Sequence, residues 1–161
     1  MSLIEQRLAE RGLSLPAPIQ SPPGALPFPF VRVQGSRVLI SGHGPLQPDG
    51  TVAGPLGKVG AELTVAQGYR AAELAGLAIL GSLKRALGDL DRIQAWSRVF
   101  GMVNSAPGFH QQPAVINGFS HLILELFGPE RGSHARSAVG MAELPFNIPV
   151  EIEGELLLRD A

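Results

Sequence analysis

The sequence predicts one α+β domain, in which a mixed β-sheet is packed on one face by two long helices. Two segments carry apolar residues at three- and four-residue spacing, which is typical of amphipathic helices. Short apolar runs before, between and after them are typical of strands. A chain of 161 residues with 45% hydrophobic content holds one core, and no linker divides it. We therefore expect residues 1–161 to form a single domain.

The N-terminal part of the chain predicts a short helix and an extended arm. Residues 2–12 place Leu3, Ile4 and Leu8 on one helical face. The next stretch, SLPAPIQSPPGALPFPF, is rich in proline, which interrupts regular elements. We expect this arm to cross the surface in an extended conformation.

The middle of the chain predicts a hairpin followed by a long helix. VRV and RVLISG, joined by QGS, have the pattern of two paired strands, and a Pro-Asp-Gly turn follows them. Thr64 is a suitable N-cap for a helix over residues 65–87, which Gly88 ends. Glycines inside this helix are interpreted as points of close packing on the sheet.

The second half predicts three more strands and the second long helix. IQAWSRVFGMV is a strand that places Trp96 and Phe100 on the same face. AVINGFSHLILELFG has the period of a helix, while ARSAVGMAEL and PVEIEGELLL are the last two strands. The predicted order of the core is two strands, helix, strand, helix, two strands.

Composition and motifs exclude several classes of function. The net charge is −1, from 13 basic and 14 acidic residues that are scattered, so we expect no nucleic-acid partner. The absence of cysteine excludes disulfides and thiolate chemistry. The four histidines lack metal-binding spacing, and GPLGKVG lacks the P-loop pattern, so no metal ion and no cofactor is expected. The apolar runs are too short for a membrane span and no signal peptide is visible, which favours a cytoplasmic protein.

The last two predicted strands carry the residues most suited to a polar site. Arg136 shares one strand face with the small residues Ala138 and Gly140. Glu151 and the glutamates at the next two alternate positions share a face of the last strand. If these strands pair directly through LPFNIP, Arg136 and the glutamates project the same way over a floor of small residues. The alternatives are a solvated acidic face and a surface ion pair at Arg136.

A resemblance to a known family rests on four segments in order. HARSAVGMAELPFNIPVEIEGEL resembles the signature of the RidA/YjgF/UK114 family, which includes proteins called endoribonuclease L-PSP. RVLISGHGPLQPDG, the helix over residues 65–87 and VINGFSHLILELFG extend the likeness upstream. It covers residues 28–158, and residues 1–27 form an N-terminal helix and arm that precede this matched core.

The resemblance implies a chorismate-mutase-like fold, a homotrimer and sites in the clefts between subunits. The implied activity is hydrolysis of reactive 2-imino and enamine acids to 2-oxo acids and ammonia, without a cofactor. The alternative is a non-catalytic protein of the same fold that binds a small carboxylate or has a regulatory role. Ribonuclease activity has less support, since no basic groove lined with aromatic residues is visible.

The family's site residues fall on named positions of this sequence. The carboxylate-binding arginine falls on Arg136, the water-positioning glutamate on Glu151, the cleft asparagine on Asn117 and the serine after the early strand on Ser41. A guanidinium holds a carboxylate through a planar pair of hydrogen bonds, and a glutamate transfers protons, so these residue types fit the reaction.

Two positions depart from the family pattern. The usual cleft tyrosine is replaced by Phe28 or Phe30, which removes a hydroxyl donor. The usual cysteine after the arginine is Ala138, where contacts through the backbone are retained. These residues, with Gly140, complete the predicted binding set.

Overall fold

The computed structural model describes residues 2–159, which form a five-stranded sheet and three helices. The helices are α1 (Leu3–Glu10), α2 (Val65–Leu87) and α3 (Gln112–Gly132), and the strands are β1 (Val31–Gln34), β2 (Arg37–His43), β3 (Ile93–Asn104), β4 (Ala135–Met141) and β5 (Val150–Leu158). The strand order is β1-β2-β5-β3-β4, with β3 and β4 parallel and the other pairs antiparallel. The predicted α+β class and mixed sheet are confirmed. In the described part of the chain, no helix combines the length and apolarity needed to cross a membrane.

The long helix α2 begins and ends where its caps predict. The Thr64 hydroxyl accepts from the Gln67 N–H while the Gln67 side chain accepts from the Thr64 N–H, so that two free donors of the first turn are satisfied. Gly88, with φ of 78°, ends the helix in a conformation that a side chain disfavours.

Glycines bring α2 and α3 together. A Cβ on Gly118 would lie 2.0 Å from the Tyr69 carbonyl oxygen, and one on Gly76 would lie 2.9 Å from Leu122 Cδ2. The backbones therefore approach one another more closely than side chains permit. Gly68 and Gly76 of α2 lie against side chains of α3, and Gly81 lies against Pro16, so the expected close packing of the α2 glycines on the sheet was wrong.

The strands that carry Arg136 and Glu151 are not neighbours. Arg136 lies opposite Val99 of β3, and Glu151 lies opposite Met102 of the same strand, so β3 separates them. Residues 142–149 do not close a hairpin, because β4 and β5 pair with opposite edges of β3 and not with each other. The predicted direct pairing of the last two strands was therefore wrong.

The two side chains also occupy opposite faces of the sheet. Arg136 reaches side chains of α3, on the helical face. Glu151 alternates with Val150 and Ile152, which are fully buried in the main core, so it points to the other face. The prediction that Arg136 and the glutamates project the same way was wrong.

An irregularity in β3 places Trp96 and Phe100 on opposite faces of the sheet, so the prediction that they share a face was wrong. Trp96 packs edge-on against Phe119 and Phe127 in the main core. Phe100 lies on the opposite face, in a small cluster with Met102. The register shifts between Trp96 and Arg98, which changes the face of every later residue.

The N-terminal arm, residues 14–30, is extended as predicted and is docked on the domain. Ahead of it, α1 buries Ile4 and Leu8 in the main core. The Ala17 N–H donates to the Pro48 carbonyl, and the Gln20 N–H donates to the Gly50 carbonyl, both at 3.0 Å. The arm thus follows the turn at residues 47–51.

Candidate functional site

Among residues 2–159, Arg136 has no acidic partner for its positive charge. Its Nη1 donates to Asn117 Oδ1 at 2.8 Å and to Ser120 Oγ at 3.0 Å, and Nη2 is 3.4 Å from the Pro113 carbonyl oxygen. Within residues 2–159, no salt bridge of 4.0 Å or less involves this side chain. A surface ion pair with a neighbouring glutamate is therefore not what orients it. Burial lowers the pKa of Arg136, but a guanidinium stays charged at neutral pH.

A relay of hydrogen bonds fixes Ser120 as an acceptor for this arginine. His134 Nδ1 lies 2.7 Å from the Gly132 carbonyl oxygen, and His134 Nε2 lies 2.9 Å from Ser120 Oγ. A carbonyl only accepts, so Nδ1 carries the proton, and the unprotonated Nε2 accepts from the serine hydroxyl. Burial lowers the pKa of His134, which favours this neutral ring. The serine lone pairs therefore face Arg136.

Glu151 is a half-buried carboxylate on the opposite face of the sheet. It lies over a bulge in β2, where a Cβ on Gly42 would come 2.0 Å from Glu151 Oε1. Burial raises the pKa of Glu151, and the negative charge of Glu153 raises it further. A carboxyl with a raised pKa exchanges protons at a pH closer to neutral than an exposed glutamate does.

A cavity of about 690 Å³ adjoins Glu151. Its lining is mainly apolar and includes Phe28 and Phe30, together with residues of the arm, β2, the C-terminal half of α2 and the segment before β5. Phe30 packs on the ring of His43, with centroids 4.9 Å apart. Its size is that of a pocket for a small organic molecule.

The predicted site residues fall into two groups within one chain. Asn117 joins Arg136, while Phe28 and Phe30 join Glu151 at the cavity. Ser41 lies beside the second group but turns away, since its Oγ donates to the Pro29 carbonyl at 2.8 Å. Its N–H donates to the Phe30 carbonyl at 3.0 Å, so Ser41 positions the phenylalanine segment.

The small residues of β4 lie on the Arg136 face. Ala138 is half-buried against the main core. A Cβ on Gly140 would lie 2.9 Å from Ser105 Oγ and 3.0 Å from Gln112 Nε2. The space over Gly140 is therefore occupied by Ser105 and Gln112, and this position does not open a pocket for a ligand.

Sequence reasoning missed Ser120, which accepts a hydrogen bond from Arg136. Ser120 follows Asn117 by three positions on an apolar helix. Residues three apart lie on the same helical face. A polar pair at this spacing within an apolar helix is the signal that would have found it.

Acidic groups and histidines do not converge on a metal site in the described chain. No group of three or more such side chains within residues 2–159 is arranged to hold a metal ion. The chemistry that the two groups offer is the binding of an anion at Arg136 and proton transfer at Glu151.

Comparison with known families gives a match over nearly the whole chain. The family described as "YjgF/chorismate_mutase-like, putative endoribonuclease" matches residues 5–152. The chain belongs to this family. The matched range begins at residue 5, within α1, and includes the whole arm. It therefore starts upstream of residue 28, where the likeness carried by the four sequence segments begins.

Relatives of the same family match over nearly their full length. Protein TCP17 of Trypanosoma cruzi is 39% identical, over 98% of this chain and 95% of that protein. The solved structure of Atu1372 from Agrobacterium tumefaciens, a protein of unknown function, is 40% identical with a TM-score of 0.85, covering 97% of this chain and 92% of that one. A "putative endoribonuclease" of Shewanella oneidensis is 32% identical with a TM-score of 0.87, covering 96% and 99%.

A more distant structure, E. coli TdcF with bound serine, shares the fold. It is 20% identical with a TM-score of 0.57, covering 91% of this chain and 96% of TdcF.

Proposed function

We propose that this YjgF-family protein hydrolyses reactive 2-imino and enamine acids to 2-oxo acids and ammonia, in a cleft shared by two copies of the chain. The observation that carries the proposal is the charged guanidinium of Arg136, which neutral acceptors hold in place and which no acidic residue of the described range 2–159 pairs with. Such a group binds a carboxylate through two charge-assisted hydrogen bonds. The serine bound in TdcF supports a small carboxylate as the ligand of this fold.

Glu151 supplies the proton transfers of the reaction. Water adds to the imine carbon as the Glu151 carboxylate takes one of its protons, and Glu151 passes that proton to the imine nitrogen, which gives the neutral carbinolamine. Glu151 then takes the hydroxyl proton and passes it to the amino nitrogen as the C–N bond breaks, so that ammonia leaves, the 2-oxo acid forms and the glutamate is ionised again. The raised pKa of Glu151 suits a group that both accepts and donates protons.

The position of the two groups supports a site between subunits. Arg136 and Glu151 lie on opposite faces, with β3 between their strands. Two strand spacings amount to about 10 Å, which already exceeds what one small imino acid spans. A homotrimer in which Arg136 of one copy faces the Glu151 cavity of the next removes this difficulty.

RNA is not the substrate that we propose, although family names refer to endoribonucleases. The net charge of −1 and the scattered basic residues give little attraction for a phosphate backbone. A non-catalytic protein that binds a small carboxylate is the competing function, and the following experiment separates it from an enzyme.

We expect substitutions at Arg136 and Glu151 to fail in different ways. Arg136→Lys keeps the charge without the planar fork, and Arg136→Ala removes both, so KM should rise in that order, by about tenfold or more for the alanine variant. Glu151→Gln should still bind a 2-oxo acid but reduce kcat by about 100-fold or more, because an amide does not transfer the proton. The assay follows 2-iminobutyrate made in situ, against its spontaneous hydrolysis.

Glu155→Gln is the matched control, because Glu155 is a glutamate of the same strand that pairs with Arg37 and is not among the charges that shift the pKa of Glu151. It should hydrolyse the imine close to the wild-type rate. Wild-type protein that binds 2-oxobutyrate through Arg136 without accelerating hydrolysis is a binding protein. Full activity in Arg136→Ala means that the proposed site is wrong.

Mixed oligomers test whether the site is shared. Arg136→Ala and Glu151→Gln chains are co-expressed with different tags, and particles carrying both tags are isolated. Each site combines an arginine from one copy with a glutamate from the next, so every trimer that carries both tags has one intact site and should show about a third of wild-type activity. Mixed particles no more active than their parents, or a stable monomer in sedimentation, would contradict the shared cleft.

A further inference from the structure

The cavity beside Glu151 contains a second arginine that the proposed reaction does not use. Arg85, in the last turn of α2, lines the cavity together with Ser82 and residues of the arm. Its Nη1 donates to the Pro16 carbonyl at 3.1 Å, and its Nη2 donates to Ser82 Oγ at 3.1 Å. No acidic side chain of residues 2–159 forms a salt bridge with it at 4.0 Å or less.

A relay like the one under Arg136 holds this second arginine. His43 Nδ1 lies 2.6 Å from the Ser41 carbonyl oxygen, and His43 Nε2 lies 2.9 Å from Ser82 Oγ. The carbonyl requires the proton on Nδ1, so Nε2 accepts from the serine hydroxyl. The serine lone pairs then face Arg85. Burial lowers the pKa of His43 to about 4, so the ring is neutral at physiological pH.

Most of the remaining residues that line the cavity are apolar, and Glu151 and Ser21 are polar exceptions. Ile19, Leu26 and Phe30 belong to the arm, while Leu46 and Ile148 lie in loops that follow β2 and precede β5. A ligand here would meet mainly hydrocarbon, with a cation at Arg85 and a carboxyl group at Glu151 on the wall. Burial of apolar surface would supply most of its affinity, and the guanidinium would supply orientation.

We propose that this cavity binds an amphipathic monocarboxylic acid, whose carboxylate pairs with Arg85 and whose apolar body packs against the arm. A guanidinium that already donates to two neutral acceptors keeps further N–H groups for a carboxylate. The residues that line this site belong to one copy of the chain, and its cation is Arg85, not the Arg136 that the proposed function brings to the Glu151 end of the cavity. It therefore goes beyond the proposed function, although it shares the cavity wall at Glu151.

Calorimetric titration of the full chain with octanoate tests the proposal, with octan-1-ol as the uncharged probe. Octanoate should bind more tightly than octan-1-ol, and affinity should rise by about fourfold per methylene from hexanoate to octanoate. Arg85→Met should weaken octanoate binding by about tenfold or more and leave octan-1-ol unchanged. Arg85→Lys should have an intermediate effect, because the charge remains without the fork.

Two controls keep the result interpretable. Arg32→Met removes an exposed arginine of β1 and should leave binding of both probes unchanged. Arg85 also donates to the Pro16 carbonyl. If Arg85→Met displaced the arm, the binding of octan-1-ol would weaken as well as the binding of octanoate. Ile19→Ser keeps Arg85 but makes the side of the cavity formed by the arm more polar, so it should weaken the binding of both probes.

Three results would overturn the proposal. They are an Arg85→Met variant that binds octanoate as tightly as wild type, no octanoate binding at millimolar concentration, and loss of octanoate binding in Arg136→Ala. The last result would assign the carboxylate to the other arginine. Failure of imine hydrolysis does not affect the titration, so the two proposals fail separately.

Discussion

Gly118→Ala is expected to lower the free energy of unfolding by about 3 kcal/mol or more. The added methyl would lie 2.0 Å from the Tyr69 carbonyl oxygen and 2.9 Å from its carbon, which are backbone atoms of α2. Relief requires the two helices to move apart, which loosens the core between them. Alanine favours a helix over glycine by about 1 kcal/mol, and this gain is too small to offset the clash. Urea unfolding followed by circular dichroism measures the change.

Gly76→Ala is the matched control for this contact. Its methyl would meet Leu122 Cδ2 at 2.9 Å and Phe119 Cδ2 at 3.1 Å, which are outer atoms of side chains that can shift. We expect a cost of about 1 kcal/mol, reduced further by helix propensity. Equal stability of Gly118→Ala and wild type would show that the helices do not approach as described.

The second large effect is a loss of stability in mild acid that depends on His43. Burial is the main reason that the pKa of this histidine falls from its ordinary value of 6.5 to about 4 in the folded protein. Between these values the unfolded chain binds more protons than the folded one, so stability falls as pH falls. The full difference corresponds to about 3 kcal/mol, and most of it is lost by pH 4.5.

Urea unfolding at pH 7.5 and pH 4.5 measures this contribution. His43→Gln should be less stable at pH 7.5, because the relay to Ser82 is broken, but should lose about 2.5 kcal/mol less than wild type on acidification. His110→Gln, at an exposed position, should keep the wild-type dependence. An unchanged pH dependence in His43→Gln would mean that the ring is not buried in its neutral form.

Local signals predicted the elements of the fold well. The bounds of α2 follow from Thr64, Gln67 and Gly88, because capping depends on residues within one turn. The hairpin of β1 and β2 and the extended arm are equally local. Strand order was not predictable, since the insertion of β3 between β4 and β5 depends on a crossover over residues 142–149. The register shift after Trp96 has no clear sequence signal either.

The sequence allowed the residues of the candidate site to be named, but it did not allow their arrangement in space to be predicted. Arg136 and Asn117 were matched by family resemblance, and the structure joins them by a hydrogen bond. Their separation from Glu151 follows from the strand order and was therefore missed. Arg85 was missed for a different reason, since a basic residue in the last turn of a helix is usual and favourable.

The docking of the arm separates two tasks that many enzymes combine. The arm meets the turn at residues 47–51 through backbone hydrogen bonds, which place few demands on its side chains. Its apolar residues face the cavity, whereas Arg136 and Glu151 belong to strands of the sheet. Mutations in the arm can therefore change which molecules fit without disturbing the two residues to which the proposed chemistry is assigned. In this architecture, selectivity can evolve independently of chemistry.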